Sequence, residues 1–395
     1  MLAVPRAPPV PAMLADAYVR FRSASGDSLH VSAHSHHPWP DVTREAQLAY
    51  WEDSSRLTNE KWERILGEIV PEAQRHLAAW MNLPDPARIA FAPNTHELVA
   101  RLYSCLDWSR PVRLLTSGHE FTSFDRQTRR LEETGRLVVS RVPAHPYDTF
   151  VARFREALSD GHDFVFLSHV FYDSGFHVVD LDAALADVPA DTLVAVDGYH
   201  AVGAVPVDLS GLAARIFYLG GGYKYLQAGE GACFMAVPPC ADALRPVFTG
   251  WFAASAARAG REVGYGENAK RFWGATFDAS GLYRLNAVMR LYAERGIDAA
   301  GIRAHVVALM ERFLEGLDAA RIEQLLVTSL VPPLGVPRGN FCAFESTRAA
   351  EIEWRLLARR VLVDRRGDRV RFGFGVYHDA ACVERLVERV TAALA

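Results

Sequence analysis

One lysine, Lys224, stands between two tyrosines in the stretch LGGGYKYLQAGEGACF, Leu219 to Phe234, a loop with five glycines. Glycine lets a backbone take positive φ and approach a ligand closely, and an amine held in such a loop can condense with an aldehyde. Alone, a lysine in a glycine-rich turn is a solvated surface residue. Other residues of the chain change that reading. Asp197 ends the apolar run TLVAV, His200 follows three residues on, and Ser168 and His169 end the run DFVFL. In open α/β sheets ligands bind beyond the carboxyl ends of strands, so these side chains are expected along one edge. An acid ending a buried strand needs a cation or hydrogen-bond donors, and a protonated pyridine nitrogen is such a partner. Asn94 and Thr95, opening the helical pattern after RIAFAP, offer backbone N–H groups and a hydroxyl to an anion. Amine, acid and anion site together meet the needs of pyridoxal 5'-phosphate. Phe121, in SGHEFTS after another apolar run, is placed to lie flat on its ring.

The elements that must position these residues are legible from about residue 88 onward. Short apolar runs, RIAFAP, VRLLTS, RLVVSRV, DFVFLSHV, TLVAVDG, RIFYLGG and ACFMAVP, alternate with amphipathic stretches such as Thr95 to Leu106 and Ser123 to Thr134. Runs of Val, Ile, Leu and Phe on successive residues suit strands covered on both faces, and their alternation with helices predicts a mostly parallel α/β sheet. The last two runs are joined by the glycine loop alone. After about residue 282 come two long helical patterns, then a strand pair around RGNFCAFES and RVRFGFG with a helix between, then a helix from Asp379. The expected division is an N-terminal segment 1–55 that packs on the small domain and the site entrance, a large cofactor-binding domain 56–281 and a small α+β domain 282–395.

Composition narrows the class. With 395 residues, half of them hydrophobic, the chain can bury a substantial core, and a net charge of −4 without a basic stripe argues against a nucleic-acid partner. Five scattered cysteines without CxxC spacing give neither a disulfide framework nor a zinc site, so a reducing cytoplasm is expected. The start, MLAVPRAPPVPAM, reads as a loose proline-rich tail without a signal peptide's apolar run, in which Met13 is an alternative start. No membrane span is expected, since nowhere do apolar residues run together for the length of one.

The motifs VDGYHAVGAVPVDL and YKYLQAGEG resemble the pyridoxal-binding core of kynureninases and, more broadly, of the class V aminotransferase family of fold-type I enzymes. The resemblance extends to AHSHHPWP, SHVFYDSG, GWF and the arginine strand RVRFGFGVYHD. It implies the fold-type I transferase architecture, a large domain on a seven-stranded sheet plus a small C-terminal domain, in a homodimer with shared active sites. It further implies that Lys224 holds the cofactor, that Asp197 faces its ring nitrogen, and that Thr95, Ser168, His200 and Tyr223 contact the phosphate or its surroundings. The partner subunit's Trp251 and the partner subunit's Thr276 would finish the phosphate cup. Arg371 would hold the substrate α-carboxylate through a bidentate pair, with Arg365, Arg366 and Arg369 as nearby competitors. Where the family carries Asn-Ser-Leu, this chain has His34-Ser35-His36, so His34 and His36 are expected to face the substrate.

Two rival chemistries are weak on the same residues. The cluster His34, His36 and His37 lacks matching acidic or cysteine ligands for a metal, and no metal is expected. Cys342 invites comparison with the loop cysteine of desulfurases, yet it lies before the helix that should precede such a loop and reads as a buried structural thiol. The expectation is an enzyme acting on a small amino acid, with kynureninase-like Cβ–Cγ cleavage ranked first, aminotransfer second, and a non-catalytic binding protein on the same fold third. Imidazoles at the substrate positions suit a more polar or acidic side chain than an aminophenyl ring, so free kynurenine is expected to be a poor substrate.

Overall fold

The computed structural model describes residues 13–254 and 262–394; the tail expected to be loose, residues 1–12, lies outside the described residues. Each apolar run forms a strand of one sheet: β1 Ile89–Ala92, β2 Val112–Ser117, β3 Leu137–Val142, β4 Phe164–Ser168, β5 Leu193–Asp197, β6 Phe217–Gly221 and β7 Cys233–Ala236. Their spatial order is β1-β7-β6-β5-β4-β2-β3. Only β7 runs against its neighbours, because the glycine loop returns the chain directly from β6 without a crossover helix. Strands β4 and β6 are buried at every residue, which is why their sequences are unbroken apolar runs. At the edge, β3 leaves Val138 exposed. The register sets Ser168 beside Asp197 and Asp197 beside Leu219, so the polar strand ends lie in line.

The longer helices include α1 (Val42–Leu57), α2 (Thr95–Tyr103), α3 (Thr122–Glu133), α4 (Ser280–Glu294), α5 (Ala299–Ala320), α6 (Ala349–Ala358) and α7 (Ala380–Leu394), of which α2 and α3 reach the site. Helix α1 lies along α4, tied by the Tyr283 hydroxyl donating to Asp53 at 2.8 Å. A second, antiparallel sheet holds β8 (Leu330–Val331), β9 (Phe341–Glu345), β10 (Asp364–Arg366) and β11 (Arg369–Gly373) in the order β10-β11-β9-β8. The N-terminal segment joins this part: Leu29–His30 pairs in parallel with Val361–Leu362, and the Gly373 N–H donates to the Val31 carbonyl at 2.7 Å. Among the described residues, no helix is long and apolar enough to cross a membrane.

Candidate active site

The strand ends and the first turns of α2 and α3 enclose a cavity of about 340 Å³, within the usual size range of small-molecule sites. Asn94, Thr95, Phe121, Ser168, Asp197, His200, Tyr223 and Lys224 all line it, so the fold gathers eight of the residues singled out from the sequence. Asn94 caps α2, its side-chain oxygen accepting the Glu97 N–H at 3.0 Å. That leaves the N–H groups of the first residues of the helix at the cavity wall, where an anion is favoured.

Lys224 is buried, its Nζ 2.7 Å from His200 Nε2 and 4.8 Å from the Tyr199 ring centre. Burial pulls its pKa down to about 7 against the opposing attraction of Asp197. The amine is therefore neutral for a good part of the time near pH 7, the state in which it attacks a carbonyl. Asp197 is held upward by burial, while the Tyr199 N–H, donating at 2.8 Å, and the Lys224 charge pull the other way. A cationic ring nitrogen would relieve that cost. His200 is neutral, driven well below its usual pKa first by burial and then by Lys224, and its Nδ1 has no partner. Burial raises the Tyr223 phenol to about 12, so it stays a hydrogen-bond donor. Buried amine, buried acid, helix N-terminus and an unpartnered imidazole nitrogen around one cavity fit pyridoxal 5'-phosphate.

Glu120 was missed in the sequence, although it lies one residue before Phe121. It is buried and accepts hydrogen bonds from Ser117 Oγ at 2.5 Å and Ser168 Oγ at 2.5 Å, which fixes the Ser168 side chain at the cavity floor. Burial pushes its carboxyl up to about 7, and the Asp197 charge adds to the rise. His169, by contrast, turns away and meets the Tyr218 hydroxyl at 2.9 Å.

The expected carboxylate arginine, Arg371, is buried and is not among the residues that line the cavity. Arg371, Arg369 and Gly373 share one face of β11. Arg369 binds Asp173, while Arg371 donates to Asp364 and to the Tyr172 carbonyl, with its guanidinium 5.4 Å above the Phe341 ring. Of the competitors, Arg365 pairs with Glu353 and Arg366 with Asp364. The three clustered histidines diverge: His34 stacks on Phe341 at 4.5 Å, His36 on Tyr223 at 5.2 Å, and His37 meets the edge of Tyr377. Among the described residues, no group of three or more His, Cys, Asp or Glu side chains could hold a metal ion. Trp251 and Thr276 lie outside the cavity, exposed, with Trp251 Nε1 donating to Thr276 Oγ1 at 3.1 Å. Cys342 is buried in β9 and its thiol is pushed up to about 11, far from a reactive thiolate.

Known proteins resemble this chain in sequence and in fold. The sequence profile described as Aminotransferase class-V matches residues 40–334. A kynureninase of Deinococcus radiodurans is 25% identical over 369 residues, covering 86% of this chain and 85% of that enzyme. A kynureninase of Pseudomonas fluorescens is 30% identical over 225 residues, about half of each chain at 55% and 53%. Among solved structures, a variant of C-DES with glycine covalently linked to its PLP cofactor superposes with a TM-score of 0.81 at 18% identity, covering 93% of this chain and 97% of that one. The cysteine desulfurase of Thermococcus onnurineus NA1 gives 0.79 at 17% identity, covering 93% and 95%. At such identities the structural likeness speaks to the fold alone.

Proposed function

The chain belongs to the aminotransferase class-V family, and on that premise we propose that it cleaves a side-chain carbon–carbon bond of a small amino acid, with pyridoxal 5'-phosphate as cofactor. The observation that carries this reading is the buried Lys224 amine, beside His200 and under the influence of Asp197, at the cavity wall. A binding module has no use for such an amine. The kynureninase relatives, one of them matched along most of this chain, support lyase chemistry over aminotransfer.

When bound, the cofactor supplies an aldehyde for an amine and a cationic ring that withdraws electrons from the substrate's α carbon. Asp197 would accept a hydrogen bond from the protonated ring nitrogen and hold that proton in place. The first turn of α2 and Thr95 would hold the phosphate, with Ser168, His200, Tyr223 and Phe121, which line the same cavity, as its further contacts and those of the ring. In a homodimer, the partner subunit's Trp251 and the partner subunit's Thr276 would close the phosphate cup. Lys224 Nζ takes the substrate's α proton and returns it, a task suited to a pKa near 7. Arg371 would anchor the α-carboxylate, while His34, buried against Phe341, and His36, stacked on Tyr223, are not among the residues that line the cavity.

The test mixes holoprotein with a panel of amino acids and follows both cofactor absorbance and products. Release of alanine from an amino acid with a polar or acidic side chain is the expected result, with little anthranilate from kynurenine because the imidazoles do not match an aminophenyl ring. Efficient anthranilate release would overturn the reading of the pocket. Keto-acid formation without alanine would move the reaction to aminotransfer.

A further inference from the structure

Tyr199 lines the cavity and takes no part in the binding and proton transfers ascribed to its neighbours. It follows Asp197 by two residues, its N–H donates to that carboxylate at 2.8 Å, and its side chain is buried. The fold clears a place for the ring: a Cβ on Gly221 would run into the Tyr199 hydroxyl. That hydroxyl meets Cys233 Sγ at 3.3 Å, and the ring packs on Tyr223 with 4.8 Å between centres. Burial drives the phenol well above its ordinary pKa, so it is no base near neutrality. What the side chain offers the cavity is its π face.

Three aromatic rings surround the Lys224 nitrogen: Nζ is 4.8 Å from the centre of Tyr199, 5.5 Å from that of Tyr223 and 5.5 Å from that of Phe121. A cation within about 6 Å of a ring face is attracted by the ring's quadrupole, more strongly where water is excluded. Lys224 is buried, and His200 Nε2, 2.7 Å away, accepts one hydrogen of the ammonium form and leaves the others to the rings. The remaining groups that act on this charge divide by sign. Asp197 at the end of β5 favours it, while burial, Arg371 from β11 and Arg366 from β10 oppose it. His200 and His34 are held neutral, and the Cys233 thiol, pushed up to about 11, carries no charge near neutrality. With a cofactor in the cavity, Asp197 would be shared with a cationic ring nitrogen and Phe121 with the cofactor, so Tyr199 and Tyr223 are the faces left to the amine. We propose that Tyr199 is a positioning residue for the proton on Lys224: its ring face stabilises the ammonium formed when the amine takes the substrate's α proton, and the contact with Cys233 keeps the ring there. Without that face the amine would still accept a proton but hold it less well. This rests on the reading of Lys224 as the group that moves the α proton.

Competitive labelling with acetic anhydride, a small neutral reagent that acylates only the uncharged amine, titrates Lys224 in the full-length chain freed of cofactor. Lys61 and Lys270 serve as internal standards. Peptide masses followed against pH give the midpoint, expected near 7 in wild type. Tyr199→Phe keeps the face and is expected to leave the midpoint within about 0.3 units of wild type. Tyr199→Leu removes the face and is expected to lower the midpoint by roughly one unit, the size of a desolvated cation–π contact. The sign separates this from a space-filling role: a smaller side chain that merely admitted water would raise the midpoint, because water favours the charged form. A trifluorinated phenylalanine in place of Tyr199 keeps the shape and empties the face of negative potential; it is expected to lower the midpoint as well, and it decides the matter if Tyr199→Leu does not fold. An unchanged or raised midpoint in either variant overturns the proposal. So does a fall in Tyr199→Phe equal to that in the fluorinated variant, or a Lys224 that no pH makes reactive. The cofactor reading is judged apart, by the borohydride label on Lys224 of the holoprotein: a label with unchanged midpoints strikes only the role of Tyr199, and loss of the label strikes the cofactor reading itself.

Discussion

Burial pulls the pKa of the Lys224 amine down to about 7, while the charge of Asp197 opposes that fall. Removing the amine in Lys224→Ala should abolish covalent cofactor attachment and lower turnover by roughly 10³-fold, the scale of a lost general acid/base group. Asp197→Asn should keep the cofactor but lose most turnover, because an amide does not hold the ring nitrogen protonated; turnover near wild type would make Asp197 a structural acid only. Glu120 gives a third measurement. Its carboxyl holds a proton in the fold up to about pH 7, against the usual 4.5. Between those values the fold binds protons better than the unfolded chain, so this group's contribution to stability is complete below about pH 4.5 and lost as pH rises through 7. Urea unfolding across that window should show Glu120→Gln losing roughly 3 kcal/mol less than wild type. Lys224, Asp197 and His200 were legible in the sequence because Asp197 ends a buried strand, His200 and Lys224 each lie three residues beyond one, and a parallel sheet brings such ends to one edge. Glu120 and Asp364 were not, since each acts through another side chain, and Asp364 sits in a stretch of arginines whose partners only the fold reveals.

At the scale of elements, the lysine loop is positioned from outside itself. Arg284 on α4 donates to the Ala228 carbonyl at 2.7 Å and the Glu230 carbonyl at 2.5 Å, and lies 4.6 Å from the Trp39 ring centre. Gln227, at φ 58, is held between the hydroxyls of Tyr18 and Tyr292. Gly229 is required where it is: its φ is 71, and a Cβ there would fall 2.2 Å from Trp39. Arg284→Met should leave two loop carbonyls without their charged donor, cost roughly 3 kcal/mol in thermal or urea unfolding, and loosen cofactor binding. Unchanged cofactor affinity in this variant would show that α4 does not position the loop. All seven strands and the helices α2 and α3 could be read from apolar runs and periodicity, with ends shifted by a few residues. The parallel pairing of Leu29–His30 with Val361–Leu362 could not, because two-residue strands carry no period and their partners lie far apart in sequence.

For the whole molecule, the question is what covers Val247, Phe248, Trp251 and Val263, all more than half exposed. Apolar side chains gathered in this way mark an interaction surface, and the proposed homodimer would bury them while lending the partner subunit's Trp251 to the phosphate. Sedimentation of wild type should give a dimer, and Phe248→Asp should shift it toward monomer with weaker cofactor retention; a monomeric wild type with a full cofactor complement would refute the shared site. The most direct test of the account as a whole asks where the cofactor is attached. The chain has three lysines, Lys61, Lys224 and Lys270, of which Lys224 is the buried one. Borohydride reduction of the holoprotein, digestion and peptide mass mapping should place the cofactor's mass on the peptide that contains Tyr223 and Lys224. A label on the Lys61 or Lys270 peptide, or none after incubation with pyridoxal 5'-phosphate, would contradict it.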